Sequence, residues 1–473
     1  MPKQKVIIVG AGLAGSLLSI YLAKRGIEVE VYESRGDMRL EEMSVGRSIN
    51  LALSDRGIAA LKEVGMDEYM LKEAVPMLGR MIHSVSGETK LLPYSGREGE
   101  YINSVSRGGL NIALINEAEK YAGVKCYFNQ KCVDFDCNSG EALIENTETG
   151  EKCAVKGKTL IATDGAGSAV RQAMMNGGVA RFNYKQEFLE HGYKELSIPS
   201  RNSLRKRVSE AQHSQNSTNY PSADADDSDL FLMEKNALHI WARHEFLMIA
   251  LPNFDGSFTC TLFLAFEGAN GFANLSDEES LMEFFQTNFP DAIPLMPTLV
   301  EDFFTNPTGN LGTIKCFPWN VGGKSLLLGD SAHAVVPFYG QGMNASFEDC
   351  RILNQLIEQH DTNWEMVFNE YGALRKENTD AIADMAEENF YEMRDAVADA
   401  TFQKKRELET RLEQIFPDYF SKYSMVTFRE DLPYSIAKQK GNAQDKLLME
   451  ICAEVEDVSK IDVYEVLEVV KCL

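Results

Sequence analysis

The chain has 473 residues, 44% of them hydrophobic and 25% charged, with 47 basic side chains against 71 acidic ones. That length allows two or three domains with ample buried surface, so neither disulfides nor metals are needed for stability, and the composition excludes a disordered or collagen-like chain. A formal charge of −24 argues against nucleic acid or an anionic membrane as partner, since both need basic surface.

Residues 6–23 carry no charge and follow Lys3 and Lys5, as a signal sequence would. The same run contains Gly10, Gly12 and Gly15 in G-A-G-L-A-G order, and no good cleavage site follows, so a buried strand and helix are the better reading. Residues 5–9 form the strand, the glycines the turn, and an amphipathic helix runs to about Arg25, with Gly26 at its C′ position. Residues 28–33 alternate and read as a second strand ending at Glu33. Short helices and strands follow over 40–125, with a helix at 109–121 and a strand pair near 124–156. Residues 160–163 are a buried strand that ends at Asp164-Gly165. The region 182–266 is rich in strands, interrupted by a polar, serine-rich surface insertion at 199–229 that includes the sequon Asn216-Ser217-Thr218. Strand 325–328 runs into Gly329-Asp330, and the chain from about 341 onward is helical. Val455, Val458, Val466 and Val470 fall near helical spacing and predict a packed terminal helix.

The glycine turn carries the first chemistry. A G-x-G-x-x-G alone is weak, but here a strand precedes it, a helix follows, and Glu33 stands at the end of the next strand. Gly10 permits the tight turn, Gly12 lets a pyrophosphate approach the backbone, and Gly15 lets helix and strand pack closely. The helix N-terminus offers N–H groups and partial positive charge to phosphates, and Glu33 can accept from the ribose hydroxyls. This predicts a Rossmann-like dinucleotide site without deciding between FAD and NAD. Two further segments favour FAD. Asp164 and Asp330 each follow a strand and lead into a small-residue helix entry. Asp330 suits a ribityl hydroxyl, and backbone N–H groups over 342–344 suit the charge of a reduced flavin.

Taken in this order, the three elements resemble the FAD-dependent aromatic hydroxylases. Six further segments, 46–54 (GRSINLALS), 80–84 (RMIHS), 191–196 (HGYKEL), 236–241 (NALHIW), 257–263 (SFTCTLF) and 423–428 (YSMVTF), sharpen the resemblance to the kynurenine 3-monooxygenase family in its soluble bacterial form. The resemblance implies an α/β fold of the aromatic hydroxylase and glutathione-reductase-like type. A discontinuous FAD-binding domain (1–72, 97–180, 310–365) is interleaved with a mixed β-sheet substrate domain (73–96, 181–309), and a helical region (366–473) completes the pocket. It implies hydroxylation of L-kynurenine to 3-hydroxykynurenine by FAD, NADPH and O₂ through a flavin hydroperoxide, a step of tryptophan degradation toward quinolinate and NAD. Arg80 and Tyr94 would bind the substrate carboxylate. Phe338, Tyr339, Asn389, Glu392 and Tyr423 would complete that pocket, with Pro337 and Gln341 on its flavin side. Ala14, Tyr32, Arg35, Ala52, Arg107, Met343 and Asn344 would join Gly10, Gly12, Gly15, Glu33, Asp164 and Asp330 around the cofactor. No side chain is needed as catalytic acid or base. With one dinucleotide fingerprint, NADPH would dock transiently in a groove. Three departures from the family pattern are the insertion at 199–229, longer than the family leads one to expect, Ala242, where proline is usual, and Tyr339, where some members have His or Phe. Nine cysteines without a C-x-x-C pair offer no zinc or dithiol site and suit a reducing cytoplasm, with a monomer or weak homodimer expected and no membrane span. The rival readings are a hydroxylase of another aromatic acid and a non-catalytic protein on the same fold.

Overall fold

A computed structural model describes residues 4–40, 50–206, 230–396 and 399–473. Residues 46–49 of the first family segment and 207–229 of the polar insertion, with its sequon, lie outside the described residues, whereas 201–206 are helical.

Strand Lys5–Val9 buries Val6, Ile7, Ile8 and Val9 in succession, the pattern of a strand covered on both faces. It is the centre of a parallel sheet in the order Ser325–Leu327, Thr159–Ala162, Lys5–Val9, Glu28–Tyr32, Val124–Tyr127. Helix Leu13–Lys24 makes the first crossover. It stops where expected: Gly26 takes φ +76°, and its N–H donates to Ala23 O at 2.8 Å, the glycine arrangement that satisfies terminal carbonyls. The expected strand pair near 124–156 is four strands. Val124–Tyr127 joins the parallel sheet, and Gln130–Asp136, Glu141–Asn146 and Lys152–Val155 form an antiparallel sheet of their own. The predicted helix at 109–121 spans Arg107–Glu119 because Ser106 caps it, accepting from Gly109 N at 3.2 Å.

A seven-stranded sheet forms the second layer: Gly309–Phe317, Asn183–Ile198, Phe258–Ala265, Leu247–Pro252, Ala237–Ala242, Gly79–His83, Thr89–Pro93. All neighbours are antiparallel except Ala237–Ala242 with Gly79–His83, so the mixed sheet expected from the sequence is present. Its side chains alternate between two cores. Trp241, Met248, Phe258, Cys260 and Leu262 pack with Phe285 and Phe289 of the segment around helix Glu278–Asn288. On the other side Ile240, Leu247 and Phe263 pack with Phe338, Ile382, Met385 and Phe390. Each fully buried ring or aliphatic chain contributes about 1.5–3 kcal/mol to holding these layers together.

Helices Gly342–His360, Trp364–Tyr391, Ala400–Ile415 and Tyr434–Ala453 follow. Val458, Val466 and Val470 pack with Leu408, Leu412 and Leu448 as expected of the chain end. The last helix, however, covers only Val463–Val470: Asp462 caps it and Asp457 caps a separate turn, which leaves Val455 outside.

Candidate active site

The three glycines act differently. Gly10 has φ +96°, and a Cβ there would stand 2.5 Å from Thr163 O. A Cβ on Gly15 would meet Gly10 O at 2.0 Å, so close helix–strand packing requires glycine. A Cβ on Gly12 would meet nothing within 4 Å, the open approach that a phosphate needs. Glu33 accepts from Ala11 N at 2.8 Å and from Arg35 Nε at 2.8 Å. Burial opposes its charge, but the guanidinium of Arg35 and the backbone N–H groups of Arg35 and Ala11 outweigh that and hold the carboxyl below its usual range. Asp164 accepts from Ala169 N at 2.9 Å with one oxygen. Its other oxygen is buried without a partner, and burial pushes the carboxyl up. Asp330 opens the short helix Asp330–His333 and is exposed. Arg171 ties the two Asp turns together, donating to Ser331 O at 2.8 Å and also to Ala166 O.

These groups line one cavity of about 790 Å³. Gly10, Gly12, Ala14, Tyr32, Glu33, Arg35, Ala52, Arg107, Asp164, Asp330 and Met343 lie along it. Gly15 and Asn344 do not. Asn344 is fully buried and works as a pin: its Nδ2 donates to Ala52 O and Gly340 O, each at 2.8 Å, and its Oδ1 accepts from Ser54 N at 3.0 Å. Gln341 also stands behind the wall, accepting from Tyr434 Oη at 3.0 Å. Helix Gly342–His360 begins without a side-chain cap, so the first-turn N–H groups remain for a ligand. The open backbone at Gly12, the uncapped helix start and the carboxylates Glu33, Asp164 and Asp330 fit the phosphates, hydroxyls and flavin edge of FAD.

Farther along the cavity lie Arg80, Tyr94, Phe338, Tyr339 and Tyr423. Tyr94 stacks on Tyr423 with ring centroids 5.1 Å apart, Tyr423 on Tyr339 at 5.4 Å, and the Arg80 guanidinium lies 4.9 Å from the Tyr423 centroid. Burial raises all three phenols above their ordinary value, so each stays a neutral donor. Asn389 and Glu392 line a smaller adjoining pocket of about 30 Å³, shared with Tyr339 and Tyr423. From there Glu392 accepts from Arg80 Nη1 at 3.2 Å, and Asn389 Nδ2 donates to Phe338 O at 2.7 Å. Burial opposes the Arg80 charge, and Tyr423, Glu392 and Tyr94 around it more than compensate.

The sequence reading did not name the apolar wall formed by Leu238, Ile249, Leu251, Phe263 and Leu311, nor Thr259 and Thr261 beside it. Its signal is the period-two alternation of 249/251 and 259/261/263, which needs an assigned sheet face to be read. Also unforeseen are Lys405 and Glu409, buried in the small pocket, and the half-buried Arg406 beside them. Ala242 pairs with Leu247 beside the hairpin turn, away from the cavity. No helix among the described residues is long and apolar enough to cross a membrane.

A family model described as FAD binding domain matches residues 3–193. The chain is 45% identical to the kynurenine 3-monooxygenase of Myxococcus xanthus, covering 99% of this chain and 95% of that one. It is 40% identical to that of Legionella pneumophila, covering 98% and 96%. Among solved structures, Klebsiella pneumoniae HpxO complexed with FAD and uric acid shares the fold, with a TM-score of 0.63 at 20% identity over 85% of this chain and 93% of that one. Identity of this extent over nearly the full length of both chains shows that the chain belongs to the kynurenine 3-monooxygenase family.

Proposed function

We propose that this chain is a FAD- and NADPH-dependent monooxygenase that places one oxygen atom of O₂ on C3 of L-kynurenine, with Arg80 and Tyr94 holding the substrate carboxylate. The observation that carries the substrate reading is the Arg80–Glu392 pair, 3.2 Å apart, at the aromatic end of a cavity that starts on the dinucleotide turn. Two opposite charges side by side match the head group of an α-amino acid. The carboxylate takes the two-point guanidinium contact, and the ammonium takes the Glu392 carboxylate. A plain aromatic acid has nothing for Glu392.

The chemistry supplied by bound FAD is transfer of NADPH electrons to O₂, giving an electrophilic oxygen. The residues of this chain bind, orient and exclude water. Gly10, Gly12 and Glu33 would hold the adenosine and phosphates, Asp330 the ribityl chain, and the first turn after Gln341 the flavin edge. Leu238, Ile249, Leu251, Phe263 and Leu311 form a dry wall for the substrate ring. With the head group fixed on Arg80, the ring has one orientation, and the arylamine donates electron density to its own ortho carbon. No side chain has to remove a proton to activate it, so positioning is the protein's main contribution.

Substrate-stimulated NADPH oxidation tests the reading. L-kynurenine stimulates strongly, whereas anthranilate and salicylate give little above background. Equal stimulation by anthranilate would assign the enzyme to another aromatic acid.

A further inference from the structure

Three residues beyond Arg80 in strand Gly79–His83, an odd offset that turns a side chain to the other face of the sheet, His83 enters a buried chain of short contacts. His83 Nδ1 lies 2.8 Å from Asp291 Oδ2, His83 Nε2 lies 2.8 Å from His239 Nδ1, and His239 Nε2 lies 2.8 Å from Glu234 O. Trp241 Nε1 donates to the same Asp291 oxygen at 2.8 Å, and its ring stacks under His83 with centroids 4.1 Å apart. His83 and His239 are 7% and 2% exposed.

The count of protons does not close for neutral groups. Each of the three contacts needs one proton. The Glu234 carbonyl and an ionised carboxylate only accept, and two neutral imidazoles bring one N–H each. Whichever tautomers are chosen, at least one contact is left with two lone pairs face to face at 2.8 Å, too close for a water to stand between them.

We propose that Asp291, His83 and His239 store the missing third proton at the His83–Asp291 contact, and that the loaded unit positions the strand that carries Arg80. Placement of the proton follows from the neighbours. Burial pushes His239 down to about 4, so His239 stays neutral. Burial opposes ionisation of Asp291, but hydrogen bonds from His83 and Trp241 hold its carboxyl below the usual range. An imidazolium on His83, lying on the face of Trp241, is the remaining arrangement. The charged or titratable groups facing it are Asp291, His239 and Arg243. The guanidinium of Arg243 donates to His83 O at 2.9 Å and to Asn288 O at 2.6 Å. The unit therefore joins strand Gly79–His83 to strand Ala237–Ala242 and to the turn at Asp291. Among the described residues, only the edge strand Thr89–Pro93 lies beyond Gly79–His83, so the placement of Arg80 depends on this inner side. A group protonated in the folded state gives its stabilisation below the pH at which it ionises and loses it as pH rises.

The effect on binding rests on the proposed role of Arg80, whereas the proton count does not. The test uses FAD-loaded enzyme labelled with ¹⁵N-histidine, its imidazole signals assigned with His83→Gln and His239→Gln. At neutral pH, His83 shows both nitrogens protonated and His239 shows Nε2–H with a bare Nδ1. Two neutral imidazoles overturn the proposal. In parallel, the Kd for L-kynurenine is read from perturbation of the flavin spectrum. Once the stored proton is lost at higher pH, the wild-type Kd rises roughly tenfold, equivalent to ~1.4 kcal/mol. Asp291→Asn, which removes the negative charge that holds the extra proton at this contact, lacks that rise. The same rise in both proteins also overturns the proposal. If the Arg80 assignment alone is wrong, Arg80→Ala leaves the Kd unchanged while the ¹⁵N pattern persists.

Discussion

Arg80 and Glu392 meet Nη1 to Oε1 at 3.2 Å although they are 312 residues apart in the chain. One comes from a strand of the seven-stranded sheet, the other from the turn that follows the long helix Trp364–Tyr391. The aromatic end of the cavity is therefore closed only when the C-terminal helices are docked on the sheet. Arg80→Ala removes the proposed carboxylate contact and the hydrogen-bonded ion-pair partner of Glu392. We expect a Kd for L-kynurenine at least 30-fold higher, about 2 kcal/mol, with the FAD content of the purified protein unchanged. Titration of the flavin spectrum with kynurenine measures both.

The Tyr94–Tyr423–Tyr339 stack separates ring from hydroxyl contributions. Tyr423→Phe keeps the stacking and the ring face toward Arg80, and its kynurenine KM stays within about threefold of wild type. Tyr423→Leu loses both, and KM rises about tenfold, in line with ~1–1.5 kcal/mol for a buried aromatic pair. Steady-state kinetics on the two variants distinguishes them.

Gly12 and Gly15 predict opposite failures. Space is open around Gly12, whereas a Cβ on Gly15 would fall 2.0 Å from Gly10 O. Gly12→Val accordingly folds with a near-native thermal transition but purifies with little FAD, because the side chain fills the phosphate approach. Gly15→Val loses stability and cofactor together. Thermal melts and the ratio of flavin to protein absorbance report the two properties.

A buried ionic cluster behind Gly329 sets an acid limit on stability. Asp349 lies 2.6 Å from His333 Nε2 and accepts from Arg375 Nε at 2.7 Å. Burial opposes its charge, but His333 and Arg375 outweigh it and hold the carboxyl down from 3.8 to about 2. A depressed folded value stabilises fully above the ordinary range, and that stabilisation is lost as pH falls from about 4 toward 2. Asp349→Asn costs about 3 kcal/mol at neutral pH, since it leaves the buried Arg375 guanidinium with Glu348 as its remaining carboxylate and takes the counter-charge from His333. Urea unfolding at a series of pH values shows the gap between the two proteins shrinking on the acid side.

Much of this arrangement was legible from local signals. Gly10, Gly12, Gly15 and Glu33 sit at fixed spacing on a strand–turn–helix, and the two Asp turns each end a buried strand, so short-range pattern alone picks out the groups gathered at this end of the cavity. Arg80, by contrast, looks like any surface arginine until the family resemblance singles it out, because its partners Glu392 and Tyr423 are set by long-range packing. The apolar wall escaped for a related reason: alternation shows that Ile249 and Leu251 share a face, but not which face meets the cavity. The side chain of Asn344, grouped with the cofactor residues from the sequence, is committed to two carbonyls and a backbone N–H at once, while its own N–H lies in the uncapped first turn of helix Gly342–His360. The charge cluster of Lys405, Arg406 and Glu409 gave no signal, because a helix bearing mixed charges normally faces water.

The central claim is that one cavity holds both the flavin and an amino acid whose ring is hydroxylated beside its amine. Single-turnover reaction of the purified holoenzyme with NADPH, ¹⁸O₂ and L-kynurenine, read by mass spectrometry and proton NMR, tests it most directly. The expected product is 3-hydroxykynurenine carrying one ¹⁸O atom at C3. NADPH consumption that yields only peroxide, or an oxygen placed on another ring position, would contradict it.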